Sequence, residues 1–390
     1  MAKRISVGID IGTHTTRVIV LEHKNGESSP SILGTGSAHT DGVRLGYITN
    51  IKHAADSIRR AVQNAEKNCG EVKIKKAYIS MGGISLLSVT SIGSAIIGKA
   101  DGEITHLDVN KAFANSEENL ELPNRKIIQS MPIQYKLDGK EIYGRPEGMR
   151  GIKLEVKSLY VTCLKQNIED LITACAEANI EVLDVIPSPI ATANAILNDK
   201  QKNAGSALVD IGAETLSVAV FENNTPISVV VFPIGGMDIT KDVALYFRID
   251  MDEAESVKVG SLIGNFPKKK LDDIVEARMT DIFELVENHL KKIKKNGLLP
   301  AGIIIAGGGS YIPRIDEVAK RDLRLPARIG PIDGSIDSKF KIKDSSWYTA
   351  LGLALSTKNH NQYPEENNVL KGNFKQLKEG FKSFLNQLLP

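Results

Sequence analysis

Val7-Gly-Ile-Asp-Ile-Gly-Thr13 and Ala207-Leu-Val-Asp-Ile-Gly-Ala213 are two copies of one pattern, an apolar run closing on Asp-Ile-Gly and a small residue. Polar residues follow each copy, and a second β-branched run follows those, at Arg17–Leu21 and up to Phe221. Alternating β-branched runs around a glycine-bearing loop predict strand-loop-strand twice over. Glycine lets backbone approach a phosphate closely, and successive amides in such a turn can form an anion nest. An aspartate at the strand end can orient water around a Mg²⁺ ion bridging β and γ oxygens. A lone Asp-x-Gly reads as an ordinary turn. Two copies in the same context read as phosphate loops on two related lobes that face each other.

A third element, Ile303-Ile-Ile-Ala-Gly-Gly-Gly-Ser310, is an apolar strand opening into three glycines. A glycine-walled turn offers bare backbone to a flat ring or a phosphate; by itself it also reads as a tight strand-to-helix turn. Around these motifs the chain has the texture of a soluble globular protein. Of its 390 residues 42% are hydrophobic and 25% charged, which excludes a wholly disordered chain. Forty-nine basic against 47 acidic residues leave a net charge of +2, so nucleic acid is not an expected partner. Cys69, Cys163 and Cys175 have no C-x-x-C spacing, which argues against a disulfide framework or a zinc site. Met-Ala-Lys-Arg-Ile-Ser-Val-Gly lacks a signal peptide's apolar region, and no stretch of about twenty apolar residues occurs. A cytoplasmic location is expected, with membrane attachment from one side left open.

Between the motifs, Asn50 is placed to cap a helix with apolar residues from Ile51 to Ala65, and Ala77–Met81 reads as a strand ending at Gly82-Gly83. Residues 87–167 change texture to short strands, glycine-rich turns and one helix starting near Leu107. Helical periodicity returns at 168–179, 188–198, 250–260 and 271–294.

In order and spacing, the three elements resemble the phosphate-1, phosphate-2 and adenosine motifs of the actin, Hsp70 and sugar-kinase superfamily. Pro187-Ser-Pro-Ile-Ala-Thr-Ala-Asn-Ala sits where its first connecting helix is found. Asp250-Met-Asp-Glu-Ala-Glu-Ser-Val-Lys-Val-Gly resembles its Ala-Glu-x-x-Lys helix. The resemblance implies an α/β, actin-like two-lobe fold with ATP and Mg²⁺ in the cleft. Asp10 and Asp210 would organise the metal through water. Gly12, Thr13, His14 and Thr15 would line one side of the phosphates, with Gly212, Ala213 and Thr215 opposite. Glu255 and Lys258 would meet the ribose, and Gly307, Gly308 and Gly309 the adenine side. The motifs imply ATP binding and leave weak hydrolysis open; no catalytic residue is assigned.

Within the superfamily the chain most resembles the bacterial cell-division family FtsA, through Gly42-Val-Arg-Leu-Gly-Tyr-Ile-Thr-Asn, Leu137-Asp-Gly, Pro146-Glu-Gly-Met-Arg-Gly and Phe232-Pro-Ile-Gly-Gly-Met-Asp-Ile-Thr-Lys-Asp. That likeness divides the chain into subdomain IA (1–86, completed by 168–198 and 342–356), an inserted α+β subdomain IC (87–167) attached to the first lobe, IIA (199–232, completed by 299–341) and IIB (233–298). A flexible linker (357–370) and an amphipathic helix (371–390) close the chain. It further implies filament formation, recruitment of later division proteins, and capture of the C-terminal peptide of the tubulin-like protein FtsZ near 233–298, on the inner face of the cell membrane at the division site. Two features depart from the family. Arg17 stands later after the first Asp-x-Gly than the usual basic residue, a spacing closer to the pilus relative PilM, which is the alternative reading; a sugar or acetate kinase ranks third, for want of a second-substrate site. Glu214 stands where a small residue is usual, and either repels a γ-phosphate or points away. His14 reads as a loop residue contributing its amide rather than as a base.

The chain ends Lys371-Gly-Asn-Phe-Lys-Gln-Leu-Lys-Glu-Gly-Phe-Lys-Ser-Phe-Leu-Asn-Gln-Leu-Leu-Pro390. Phe374, Leu377, Phe381, Phe384, Leu385 and Leu388 form one helical stripe, with Lys371, Lys375, Lys378 and Lys382 near the other face. This describes an interfacial helix on an anionic membrane, or a final helix packed on the body; the FtsA resemblance favours the membrane. The runs Lys268–Lys270 and Lys291–Lys295 read as helix-end charges facing carbonyl dipoles.

Overall fold

A computed structural model describes residues 4–24, 30–70, 72–261, 266–330, 342 and 344–356. The first part of the chain forms β1 (Arg4–Ile11), β2 (Thr15–His23), β3 (Ser31–His39), β4 (Val43–Arg44), β5 (Tyr47–Ile48), α1 (Ile51–Asn68) and β6 (Lys76–Met81). Next come β7 (Leu87–Ile96), α2 (His106–Glu118), β8 (Arg125–Leu137), β9 (Lys140–Ile142), β10 (Lys153–Leu164), α3 (Lys165–Glu177), β11 (Glu181–Pro187), α4 (Ser188–Ile196) and α5 (Asp199–Ala204). The remainder forms β12 (Ser206–Ile211), β13 (Leu216–Glu222), β14 (Thr225–Phe232), α6 (Gly236–Phe247), α7 (Met251–Lys258), α8 (Lys268–Lys292), β15 (Gly302–Ala306), α9 (Ile315–Leu323), β16 (Ala327–Ile329) and α10 (Tyr348–Leu355).

The repeated motif is a repeat of register as well as of sequence. In the first sheet, ordered β11-β6-β1-β2-β3, β1 runs antiparallel to β2 and parallel to β6. In the second sheet β12 runs antiparallel to β13 and parallel to β15. Asp10 lies opposite Arg17 and Asp210 opposite Ser217, so both aspartates occupy the same rung, one residue before the strand ends. Val7, Ile9 and Ile11 of β1, and Ala207, Val209 and Ile211 of β12, are buried because both strands lie inside their sheets. α1 and α10 pack on the first sheet, with α3 and α4 respectively. The second lobe has its own apolar core, to which α8 contributes Met279, Ile282, Phe283, Val286 and Leu290 at helical spacing.

Local chemistry sets the helix starts. The Asn50 side chain accepts a hydrogen bond from His53 N and caps α1. Thr105 and Asp108 form a reciprocal capping box that starts α2 at His106. α8 begins at Lys268, three residues before the expected start, because Pro267 ends the preceding backbone and serves as its first boundary residue. Lys268–Lys270 therefore occupy a helix N-terminus, where the dipole disfavours cations, whereas Lys291 and Lys292 occupy the favoured last turn. The dipole reading holds at one end only.

The segment from β7 to β10 has a small core of its own, including Ile104, Val109, Ala112, Leu154 and Val156. The segment is attached to the first lobe at both of its ends, and its sheet also continues that of the second: the order is β16-β15-β12-β13-β14-β7-β10-β8-β9, joined through one rung, Val230 opposite Leu87. Leu86, just before the segment, and Leu159 and Val161 within it lie in a core shared by Ile9 of the first lobe and Val229 of the second.

Candidate functional site

The two hairpin turns and the glycine turn after β15 meet in a cavity of about 1060 Å³. It is lined by every cleft residue expected from sequence: Asp10 and Gly12–Thr15, Asp210, Gly212, Ala213 and Thr215, Glu255 and Lys258, and Gly307–Gly309. Arg17, Ser80, Ser217 and Thr240 also line it.

Each aspartate is held by a hydroxyl from a neighbouring element. Ser80 Oγ, at the end of β6, donates to Asp10 Oδ1 at 2.7 Å and accepts from Ile11 N. Thr192 Oγ1, on α4, lies 2.9 Å from Asp210 Oδ2 and 2.8 Å from Thr349 Oγ1 of α10. Burial raises the Asp10 pKa, opposed by the Ser80 bond and the Arg17 charge. Burial pushes Asp210 up to about 6, the Thr192 bond opposes it, and the charge of Asp10 adds to the rise. Two half-buried carboxylates facing one cavity, with Arg17 the nearby cation, form a donor set suited to a hydrated divalent cation. Among the described residues no group of three or more metal-ligating side chains occurs, so water and phosphate would complete its shell. Sequence reasoning missed Ser80 and Thr192. The only local signal was a serine just before Gly82-Gly83 and a threonine one turn after Ser188.

Glu255 and Lys258 form an ion pair at 2.6 Å. Lys258 Nζ also donates to Gly236 O at 3.1 Å and contacts Thr240 Oγ1 at 2.8 Å, and Thr240 bonds to Glu255. Burial would raise the Glu255 pKa, but the hydrogen bonds of Lys258 and Thr240 and the Lys258 charge lower it. The carboxylate is thus an ionised acceptor in a fixed orientation. At Gly307 φ is +83°, and a Cβ there would fall 2.5 Å from Ile211 O and closer still to Asp210 Oδ1, so glycine is required. His14 is held with Nδ1 3.0 Å from Thr15 Oγ1 and its ring edge-on to His39; burial, then the His39 charge, lower its pKa, and its carbonyl accepts from Thr40 N. Arg17 lies over the Trp347 ring at 5.8 Å.

Glu214 turns away from the cavity. Its carboxylate accepts from Arg44 Nε and from Leu45 N, both at 2.8 Å, which resolves the choice between repulsion and an outward orientation. The stripe Phe374, Leu377, Phe381, Phe384, Leu385 and Leu388, with its linker, lies outside the described residues. Among the described residues no helix is long and apolar enough to cross a membrane.

Two related lobes with these loops define an actin-like ATPase fold. The chain of a PilM–PilN type IV pilus biogenesis complex superimposes with a TM-score of 0.67 at 16% identity, over 90% of this chain and 97% of that one. MreB5 of Spiroplasma citri, solved bound to ADP, superimposes at 0.54 and 13% identity, over 91% and 97%. Within that class, residues 207–352 match the family described as "Cell division protein FtsA", and residues 83–162 match "SHS2 domain inserted in FTSA". Cell division protein FtsA of Bacillus subtilis is 29% identical over 370 residues, 89% of this chain and 82% of its own. That of Pseudomonas aeruginosa is 29% identical over 380 residues, 90% and 89%. The chain belongs to the FtsA family of cell-division proteins.

Proposed function

We propose that this protein binds ATP with Mg²⁺ in the cleft, assembles into filaments on the cytoplasmic face of the membrane, and tethers FtsZ filaments there. The observation that carries the reading is the meeting of Asp10 and Asp210, from duplicated hairpins, in one cavity walled by the turns 12–15, 212–215 and 307–309. Mg²⁺, when bound, would neutralise phosphate charge, and Asp10 and Asp210 would hold it through water. The amides of the two hairpin turns bind the phosphates as anion nests. Ser80 and Thr192 keep the carboxylates oriented, the Glu255–Lys258 pair presents a fixed acceptor and donor to the ribose, and Gly307–Gly309 leave bare backbone for the base. ATP is proposed to draw the lobes together and favour subunit contacts, the segment between 87 and 167 touching the next subunit.

The region 233–298 is proposed to take the FtsZ C-terminal peptide, with IA, IC, IIA and IIB divided as the family resemblance implies, and later division proteins to join the assembly. The stripe from Phe374 to Leu388 is proposed to lie in the acyl boundary of an anionic bilayer, its lysines at headgroup level. Calorimetric titration with ATP tests the cleft: wild type should bind in a Mg²⁺-dependent manner and Asp210→Ala should bind far more weakly. Unaltered affinity in a folded Asp210→Ala protein would show that the second loop has been misread. Vesicle co-sedimentation tests the anchor, since Phe381→Glu with Phe384→Glu, or a chain ending at Leu370, should stay in the supernatant.

A further inference from the structure

Glu214 lies between Ala213 and Thr215, two residues that line the cavity, yet its own carboxylate spans to the facing lobe. There it meets the β4–β5 hairpin, whose two central residues, Leu45 and Gly46, both have positive φ, +49° and +73°. Turns of that pattern favour asparagine, aspartate or glycine at the first position, and a leucine there is strained. The strain persists because the surroundings over-determine it. Leu45 N donates to Glu214 Oε2, Leu45 O accepts from Ile84 N at 3.3 Å, and Gly46 abuts Gly83 so closely that a Cβ would fall 2.7 Å from Gly83 N. Arg44 Nε holds the second carboxylate oxygen. The Arg44 side chain is 67% exposed and that of Glu214 10%, so the pair is anchored on the Glu214 side and wet on the other.

An exposed arginine salt bridge is a weak device. A backbone N–H donating to a nearly buried carboxylate is a stronger one, charge-assisted and shielded from water. We infer that Glu214 is a positioning residue: its carboxylate clasps the strained Leu45 turn of the first lobe and thereby fixes the second phosphate loop, 212–215, against the facing lobe. This rests on the cleft binding a nucleotide, and its first test does not. The clasp needs no ligand, so part of lobe closure is built into the chain, and the loop is pre-positioned before phosphate arrives.

The experiment compares wild type, Glu214→Ala, Glu214→Gln and Arg44→Ala. Without nucleotide, hydrogen exchange at the Leu45 amide should accelerate on the order of tenfold in Glu214→Ala, the factor that corresponds to about 1.4 kcal/mol. Glu214→Gln keeps an acceptor for Leu45 N and should fall in between; Arg44→Ala should leave that amide near wild type. With mant-ATP as probe, stopped-flow dissociation should quicken on the order of tenfold in Glu214→Ala, with partial rescue in Glu214→Gln. Unchanged Leu45 exchange in Glu214→Ala overturns the clasp. Accelerated exchange with wild-type mant-ATP release overturns the positioning role. If wild type itself fails to bind mant-ATP, the nucleotide reading falls, and the exchange comparison still decides whether the two lobes are clasped.

Discussion

Asp210 is a liability to the fold, and removing its charge should make the protein more stable. Asp210→Asn keeps the shape beside Thr192 and Thr349 and deletes a carboxylate that burial and the charge of Asp10 push up to about 6 from 3.8. Between those two values the native state binds more protons than the unfolded chain, so stability falls as pH rises from about 4 to 6. Above pH 6 the full penalty is in force, about 3 kcal/mol by linkage, and at pH 5 about half of it. Thermal unfolding of the nucleotide-free protein is the assay. At pH 7.5 Asp210→Asn should melt roughly 6–12 °C above wild type if the second lobe unfolds as a unit, and the gap should shrink by about half at pH 5. The same variant should lose Mg²⁺-dependent ATP binding, so that stability and function move in opposite directions. A variant no more stable than wild type at pH 7.5, or a gap equal at both pH values, would refute the reasoning.

His289 is half-buried against Ser228 and Phe232, and desolvation there, aided by the Lys292 charge, lowers its pKa to about 4. Its contribution is fully present above about pH 6.5 and is lost as pH falls toward 4; His289→Gln should flatten that part of the stability-against-pH curve in urea titrations. Gly307→Ala should lose more than the roughly 1–2 kcal/mol of its positive φ, because the added Cβ must also displace Ile211 O and the Asp210 carboxylate, and should bind ATP more weakly, read by urea midpoint and calorimetry. Phe283→Ala, deep in the second lobe, should cost about 3–5 kcal/mol in the same urea titration while leaving the first lobe's exchange pattern intact.

The fold was legible wherever one local pattern carried it. Two Asp-Ile-Gly strands predicted two hairpins, and the hairpins share one register because in each an apolar strand ends at Asp-Ile, a short turn follows, and a second apolar strand pairs back. The cleft glycines were legible only in combination, since each turn alone reads as ordinary and it is the duplicated Asp-Ile-Gly with a third glycine turn that points to one cleft. What stayed hidden depended on distance along the chain. Ser80 reaches Asp10 across 70 residues, and Glu214 meets Leu45 across 169, so nothing beside either residue marks its partner. The start of α8 misled because three lysines at a helix N-terminus oppose the dipole, and only Pro267 marks the boundary. The joining of β7 to β14 rests on a single rung, too short for any periodicity.

That rung has a mechanical consequence. On the first-lobe side the segment from β7 to β10 is tied at Ser85, with Arg125 Nη2 donating to its carbonyl and Leu164 N to its hydroxyl. On the second-lobe side it has the Leu87–Val230 pair and one bond from Val229 N to Ser88 Oγ. Each such bond contributes about 1 kcal/mol net, and on the second-lobe side apolar packing adds to them, since Leu159 and Val161 of β10 share one core with Val229 and Val231 of β14. The segment is thus gripped from both lobes, and a rotation of one past the other must strain it. Held on both sides, the segment carries the relative attitude of the two lobes outward to the far strands β8 and β9.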